Sequence, residues 1–148
     1  MNWSEKCLLE LTHRNMFDSS DHRLRFRDLL DCFHTAPFFS KDLAKCMYTA
    51  TWDEYHFAEI LVTLNEMTIA DATDCFTLKE QLETDEARCD TDDSYVYRLC
   101  ISFMNHTKFR EPDYSTIDPE ISHIIKQGLL VSSYVDELPE IIPEKARR

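Results

Sequence analysis

The chain has 148 residues, of which 43% are hydrophobic, and a formal net charge of −12. This apolar content exceeds that of a disordered acidic tail, and the length suffices for one domain with its own core. The negative charge repels nucleic acid and anionic membranes, so direct binding to either is not expected. The sequence also has no run approaching the ~20 apolar residues of a membrane-spanning helix.

Glycine and cysteine usage narrow the fold class further. One glycine, Gly128, is present in the whole chain, and tight hairpins and phosphate-binding loops depend on glycine. The six cysteines have no C-x-x-C spacing, and the first fifteen residues lack the apolar run of a secretory leader. These features predict a cytoplasmic protein with reduced cysteines and no metal or cofactor. We expect a compact all-α or mainly-α multi-helix domain with at most one small sheet.

The first three helices are predicted from apolar spacing and capping residues. Apolar side chains through Leu11 have helical spacing and predict a first short helix. The polar residues 18–21 offer N-caps for a second helix, in which the apolar positions repeat with a helical period: Phe26, Leu29, Leu30 and Phe33. Ser40 is expected to cap a third helix, which continues to Tyr48.

The fourth helix is predicted to be the central one. Thr51 and Glu54 have the spacing of a capping box at its start. The helix is apolar on most sides, which is typical of a helix surrounded by neighbours: Tyr55, Phe57, Ile60, Leu61, Val62 and Leu64. Residues 68–82 are predicted to continue helically with these apolar residues on the inner side: Ile69, Ala72, Phe76 and Leu82.

Two further helices are predicted in the C-terminal half. Asp92 or Asp93 is expected to cap a helix with an apolar inner face. Asp118 followed by Pro119 is typical of an N-cap with proline in the first helical position. Gly128 is predicted to end this last strong helix.

The remaining residues set the predicted domain boundaries. Residues 129–135 are expected to form a last helix or a short strand. Beyond them, Pro139 and Pro143 interrupt any regular element. We therefore predict a single helical domain over residues 1–135 and a flexible C-terminal tail over residues 136–148.

Part of the chain resembles a family of small uncharacterised bacterial and phage proteins, a domain of unknown function. Its opening motif, F-x(3)-[DE]-H-x(2)-R-[FY]-x(2)-L-L, is similar to Phe17, Asp21-His22, Arg25-Phe26 and Leu29-Leu30. Further matches are Tyr48, Asp53, Ser94, Val96, Arg98, Leu99, Phe103 and Asn105. The chain departs from the family where a loop containing glycine and tryptophan is usual, because residues 89–93 are acidic here. The resemblance covers residues 17–106 and implies a helical fold in a bacterial or phage setting, without a catalytic residue.

The strongest functional signal is the acidic segment, defined as residues 71–93. Residues 51–120 hold 17 acidic and 5 basic side chains, whereas the two flanking parts of the chain are neutral. The acidic segment has only two basic residues and nine acidic ones, which are the predicted partner-binding residues: Asp71, Asp74, Glu80, Glu83, Asp85, Glu86, Asp90, Asp92 and Asp93. A field this uneven indicates a cationic partner and says little about the fold.

These features favour a non-enzymatic interaction protein that binds a basic protein surface. Acidic side chains three or four residues apart on a helix are separated by about 5–6 Å, similar to successive phosphates along a strand. The narrower hypothesis is an anti-CRISPR-like inhibitor from a phage or mobile element that occludes the groove of a nucleic-acid-binding nuclease by mimicry. The alternatives are a solubilising acidic face, or a structural or regulatory subunit of a bacterial or phage complex. The oligomeric state is left open.

Candidate catalytic and metal sites are weaker. Four histidines have an acidic residue three positions earlier, as in carboxylate-bridged di-iron bundles, but the helical phases direct His13 and His123 outward. Asp90-x-Asp92-x-Ser94 is similar to the start of a calcium loop but lacks its glycine and closing glutamate. His22 is the best general-base candidate of an alternative small enzyme, although a buried hydrogen-bonding role is more typical. No catalytic or metal-binding residue is predicted.

Overall fold

The computed structural model describes residues 1–142, which contain seven α-helices and no strand, so the predicted helical class is confirmed. The helices are α1 (Trp3–His13), α2 (Ser20–Phe33), α3 (Lys41–Ala50), α4 (Glu54–Ile69), α5 (Phe76–Arg88), α6 (Ser94–Asn105) and α7 (Pro119–Glu137). A short 3₁₀ helix (Tyr114–Thr116) precedes α7. Within these described residues, no helix combines the length and apolar composition that crossing a bilayer requires.

The helix at the centre of the fold is α3. Every residue from Leu43 to Ala50 is buried, including the polar residues Lys45 and Thr49. Four helices, α2, α4, α6 and α7, pack around it. The other two lie further out, with α1 against α2 and α7, and α5 against α4 and α6. The hydrophobic core is therefore continuous around α3.

The prediction that the fourth helix is central is wrong. α4 buries one face only, formed by His56, Ile60, Thr63, Leu64 and Met67. Tyr55 and Val62, which made the helix look apolar on most sides, are exposed. Apolar content shows that a helix could be surrounded, but the number of neighbours depends on the packing of the whole chain.

The predicted continuous helix over residues 68–82 is also wrong. α4 ends at Ile69, and α5 begins at Phe76. Between them Asp71 has a left-handed backbone conformation, with φ of 54°, which aspartate tolerates better than most residues. Because the helix is interrupted, Ile69 and Phe76 are exposed instead of lying on an inner side, whereas Leu82 is buried.

Several N-caps lie where the sequence predicts them. The side chains of Ser19, Ser40 and Asp118 each accept a backbone N–H two or three residues further on. At α4 the N-cap is Asp53 and not Thr51. The hydroxyl of Thr51 instead donates a hydrogen bond to the carbonyl of Met47 in α3. Asp93 occupies the N-cap position of α6 without a capping hydrogen bond from its side chain. Caps are thus predictable to within one or two residues.

Gly128 lies inside α7 and does not end it, so that prediction is wrong. Residues 129–135 are helical, and α7 continues past the expected domain boundary to Glu137. A Cβ at position 128 would lie 3.0 Å from Leu99 Cδ2 and 3.1 Å from Thr49 Oγ1. The only glycine of the chain therefore allows α7 to pack closely against α3 and α6.

The residues after α7 return to the body of the protein. Trp3 Nε1 donates to the Pro139 carbonyl at 2.8 Å, and Lys41 Nζ donates to the Leu138 carbonyl at 2.7 Å. The first part of the predicted tail is therefore attached to α1 and α3. Residues 143–148 of that prediction lie outside the described residues.

We expect Gly128→Ala to lower the free energy of unfolding by about 1 kcal/mol. Adding a methyl group to a well-packed site costs about 2 kcal/mol, and the gain in helix propensity offsets about 1 kcal/mol of this cost. Urea unfolding measures the difference. Ser133→Ala, on the exposed side of α7, is the control and should leave stability unchanged or slightly higher. A Gly128→Ala protein as stable as this control would contradict the close packing.

Candidate functional site

The acidic segment runs through the loop before α5, α5 itself and the loop before α6. Five of the nine predicted carboxylates are exposed: Asp71, Asp74, Glu80, Glu83 and Asp90. The other four are half-buried: Asp85, Glu86, Asp92 and Asp93. Leu78 and Leu82 are the buried residues of α5 and hold it on the body of the protein. The acidic segment is therefore a surface helix with flanking loops.

Two of these carboxylates form contacts with neighbouring residues along the chain. Asp74 accepts the Phe76 backbone N–H at 3.0 Å, which supports the start of α5. Asp85 accepts a hydrogen bond from the Gln81 side chain, one helical turn earlier, at 2.9 Å. Both contacts are local and partly solvated, so they add little to stability.

Two others connect separate elements. Glu86 forms an ion pair with Arg98 of α6 at 2.8 Å. Asp92 accepts the backbone N–H of Asp118 at 2.8 Å and so joins the loop before α6 to the start of α7. Glu86 and Asp92 therefore have structural contacts, and neutralising them would affect folding as well as binding.

The remaining five carboxylates have no hydrogen-bonding or ion-pairing partner within residues 1–142: Asp71, Glu80, Glu83, Asp90 and Asp93. Glu80 and Glu83 lie together on the exposed side of α5, about 5–6 Å apart by helix geometry. Asp71 precedes α5, and Asp90 follows it. The structure thus brings Glu80 and Glu83 together but does not place all nine carboxylates on one helix face.

Two acidic residues outside the acidic segment join it in space. Glu59 and Glu66 of α4 line a groove of about 360 Å³ together with Asp85 of α5. The Tyr97 hydroxyl donates to Glu59 at 2.8 Å, and burial together with this hydrogen bond raises the pKa of Tyr97. Sequence analysis missed both glutamates because they precede residue 71. Their separation of seven residues, which puts them on one side of α4, is the signal that could have found them.

His22, the candidate base of the alternative enzyme, is a buried structural residue. Its Nε2 lies 2.8 Å from the Tyr48 carbonyl oxygen, and its Nδ1 accepts the Asp18 backbone N–H at 3.2 Å. These two partners favour the neutral tautomer that carries its proton on Nε2. Burial lowers the pKa of His22 to about 4, against the smaller opposing effect of the Tyr48 carbonyl. Both ring nitrogens are therefore engaged: Nε2 joins α2 to α3, and Nδ1 joins α2 to the loop before it.

Other residues that carry the family resemblance have the same structural role. The ring of Phe17 packs edge-on against His22, with the centroids 5.3 Å apart. Arg25 donates from Nε to the Thr51 carbonyl at 2.7 Å and from Nη2 to the Trp52 carbonyl at 2.9 Å. These residues of the motif therefore pack α2 on the C-terminal end of α3.

A second buried histidine, His56, is paired with the N-cap of α4. The Asp53 carboxylate accepts both the backbone N–H and the Nδ1–H of His56, each at 2.8 Å. Burial alone lowers the pKa of His56, but the hydrogen bond and charge of Asp53, together with the smaller effects of Asp93 and Glu59, outweigh it, and the pKa is raised. The side chain is 3% exposed, and its Nε2 has no partner within residues 1–142.

His56 also lines a cavity of about 30 Å³ between α3, α4, α5 and α6. Two cysteines, Cys46 and Cys100, contribute to the same wall. Burial raises the pKa of the Cys46 thiol well above its ordinary value, and its Sγ donates to the Cys100 carbonyl at 3.4 Å. A protonated, buried thiol is a poor nucleophile, so this cavity does not support Cys/His catalysis. It is large enough for about one water molecule.

The candidate metal sites do not assemble. Within the described part of the chain, no group of three or more His, Cys, Asp or Glu side chains could hold a metal ion. His123 instead lies 3.3 Å from Asp18, and His34 Nδ1 lies 2.8 Å from the Leu30 carbonyl. In the segment that is similar to a calcium loop, residues 90–94, the Asp92 carboxylate already accepts the backbone N–H of Asp118.

Comparison of the chain with protein-family models, with curated proteins and with solved structures finds no match. The resemblance of residues 17–106 to a bacterial and phage family therefore stays a prediction. The geometry and electrostatics of the candidate site are therefore the only support for a function of this chain.

The depressed pKa of His22 predicts a loss of stability in acid. The unfolded histidine binds a proton near pH 6.5, whereas the folded one resists protonation down to about pH 4. The contribution of His22 to the free energy of unfolding is complete above pH 6.5. It falls by about 3 kcal/mol as the pH drops from 6.5 to about 4. Urea unfolding from pH 7 to pH 4 measures this loss. We expect His22→Gln to be less stable at pH 7 but to decline less with acid; an equal decline would assign the effect to another group.

The raised pKa of His56 predicts the opposite dependence. Its charged form is stabilised by Asp53, so this contribution is complete below pH 6.5 and is lost as the pH rises through the folded pKa. We expect His56→Gln to reduce the free energy of unfolding by about 2 kcal/mol in mild acid and by less in alkaline solution. Asp53→Asn is the matched variant, because it removes the charge that stabilises the imidazolium. If the stability of Asp53→Asn depends on pH as strongly as that of the natural chain, the Asp53–His56 pair is not the source of the dependence.

Proposed function

We propose that this chain is a non-enzymatic binding protein whose acidic surface docks on a basic surface of another protein. The observation that supports the proposal is the set of exposed carboxylates on and beside α5 that have no partner within residues 1–142, with Glu80 and Glu83 at its centre. A carboxylate already paired with a cation contributes little field outside the protein. Unpaired carboxylates on a helix held by Leu78 and Leu82 keep their charge available to a partner.

The distribution of charge favours rapid and salt-dependent association. Residues 51–120 carry an excess of twelve acidic side chains, equal to the net charge of the whole chain. Such a field attracts a cationic partner from a distance, raises the association rate and is screened when salt shortens the Debye length. The partner is therefore expected to present clustered Lys and Arg residues.

The narrower form of the proposal is an inhibitor, encoded by a phage or mobile element, that occupies the groove of a nucleic-acid-binding enzyme such as a CRISPR effector nuclease. Such grooves are built to bind rows of negative charge. A rigid helix with exposed carboxylates would displace the nucleic acid and gain the same counterion release from the groove. This mechanism is stoichiometric and needs no catalytic residue.

We expect neutralising Glu80→Gln, Glu83→Gln and Asp90→Asn together to weaken binding about tenfold or more at low salt and to flatten its salt dependence. These residues are exposed and free of structural contacts, so the melting temperature should be unchanged or slightly higher. The measurement is DNA cleavage by a panel of CRISPR effector nucleases, with increasing amounts of the protein, at about 50 mM and about 200 mM salt.

The matched control removes the same charge from α2, with Asp21→Asn, Asp28→Asn and Asp31→Asn, which are also exposed. This control should keep most of the inhibition. Cleavage that is unaffected by the natural protein in every nuclease would exclude the inhibitor mechanism. Equal, salt-independent inhibition by both variants would mean that the acidic segment only solubilises the protein.

A further inference from the structure

The outer face of α4 has apolar side chains at intervals of seven residues. Tyr55 is 63% exposed, Val62 is 56% exposed and Ile69 is 84% exposed. We call these three residues the α4 seam. They lie within about 40° of one another around the helix and extend over about 21 Å of its length. Seven-residue spacing is the spacing with which one helix meets another along a coiled-coil contact.

No other element within residues 1–142 covers the α4 seam. The opposite face of α4 packs on the core through Ile60, Leu64 and Met67. Scattered exposed apolar residues need no explanation, but these three are aligned along one helix and form an apolar strip, which Asn65 and Glu66 interrupt between Val62 and Ile69. Tyr55 and Val62 of this strip are among the residues that made α4 look central from its sequence, and they lack the neighbour that such a sequence predicts.

Carboxylates flank the α4 seam on the side of α5. Glu59 and Glu66 follow the same interval of seven residues, and Asp85 faces them across the groove between α4 and α5. Ala58 and Val62 supply apolar wall to this groove. In paired helices the positions beside the apolar contact are commonly charged and select the partner by its charge. A Lys or Arg side chain fits here, because its aliphatic stem can pack on Val62 while its cation reaches a carboxylate.

This charge pattern distinguishes between two possible occupants. A second copy of the chain would bring Glu59, Glu66 and Asp85 of both copies together, between two molecules of net charge −12. Like charges in an interface oppose association. A helix with basic residues beside its apolar positions would instead complement the flank of the α4 seam.

We propose that the α4 seam and its flanking carboxylates bind an amphipathic helix of a partner protein that carries Lys or Arg beside its apolar face. This inference rests on the proposed function and identifies the part of the partner that docks. It adds a short-range apolar contact to the long-range attraction of the acidic segment. The contact needs a helix of about 14 residues to match the three positions of the seam.

The test uses three fluorescently labelled synthetic peptides of about three heptads. The first has an apolar heptad face with Lys flanks, the second has the same face with Glu flanks, and the third has the composition of the first in scrambled order. Fluorescence anisotropy with the full chain measures binding. We expect the first peptide to bind at least about tenfold more tightly than either of the others, since it alone complements both the seam and the carboxylates.

Substitutions then locate the site. We expect Val62→Ser with Ile69→Ser to weaken the first peptide about tenfold or more, and Glu66→Lys to weaken it and flatten its salt dependence. Leu24→Ser with Leu130→Ser is the matched apolar control on other exposed positions, and Asp21→Asn with Asp28→Asn on α2 is the matched acidic control. Both controls should bind the first peptide nearly as well as the natural chain. Every substituted side chain in these variants is exposed, so the substitutions should not disturb the core. Circular dichroism checks that each variant remains helical.

Each other outcome overturns the inference in a separate way. Equal binding of the scrambled peptide would show that charge alone attracts it, which leaves the proposed function intact. Equal binding of the Glu-flanked peptide, or no binding of any peptide, would exclude a basic helix as the occupant, while the nuclease experiment still decides the proposed function. Self-association in sedimentation that is lost with Val62→Ser and Ile69→Ser would assign the face to a second copy of the chain.

Discussion

The hydrogen bonds at the C-terminal end of α3 are the constraint on which the rest of the fold depends. A helix leaves its last carbonyl groups without internal donors, and α3 ends inside the protein. α2 supplies the donors, because His22 reaches the Tyr48 carbonyl and Arg25 reaches the two carbonyls that follow the helix. The neutral imidazole lies in the core, where a charge would be destabilised, and the guanidinium lies at the partly buried edge. Since these bonds hold α2 and the α3–α4 connection together, they also position Asp53 at the start of α4.

Close packing on the other side of α3 explains how the chain uses its only glycine. The approach of Thr49 and Leu99 to Gly128 leaves no room for a side chain there. Within residues 1–142, the residues with positive φ are instead Asn15, Asp71 and His106, which belong to the types that tolerate this conformation best. The scarcity of glycine correctly indicated a helical protein, although the turns between its helices did not need glycine.

Local features of the fold could be predicted from the sequence, whereas features that depend on neighbours could not. The amphipathic period of α2 and the caps at Ser40 and Asp118 involve residues within a few positions of each other, and the structure confirms them. The place of Gly128 depends on α3 and α6, which are distant in sequence, so a rule for helix ends gave the wrong result. The interruption after Ile69 was missed because apolar residues continue with a nearly helical spacing across it.

The same distinction applies to the candidate site. A count of charges along the chain groups Asp92 with Glu83, although Asp92 joins the start of α7 and Glu83 is free in solvent. It also separates Glu66 from Asp85, which face one groove. Charge alone would attract any cationic polymer, and salt would abolish that attraction. An apolar strip beside the carboxylates adds a contact that salt does not screen and that only a partner with matching apolar spacing can make. Under the proposed function, selective binding would require both features on one face, and α4 is the helix that combines them.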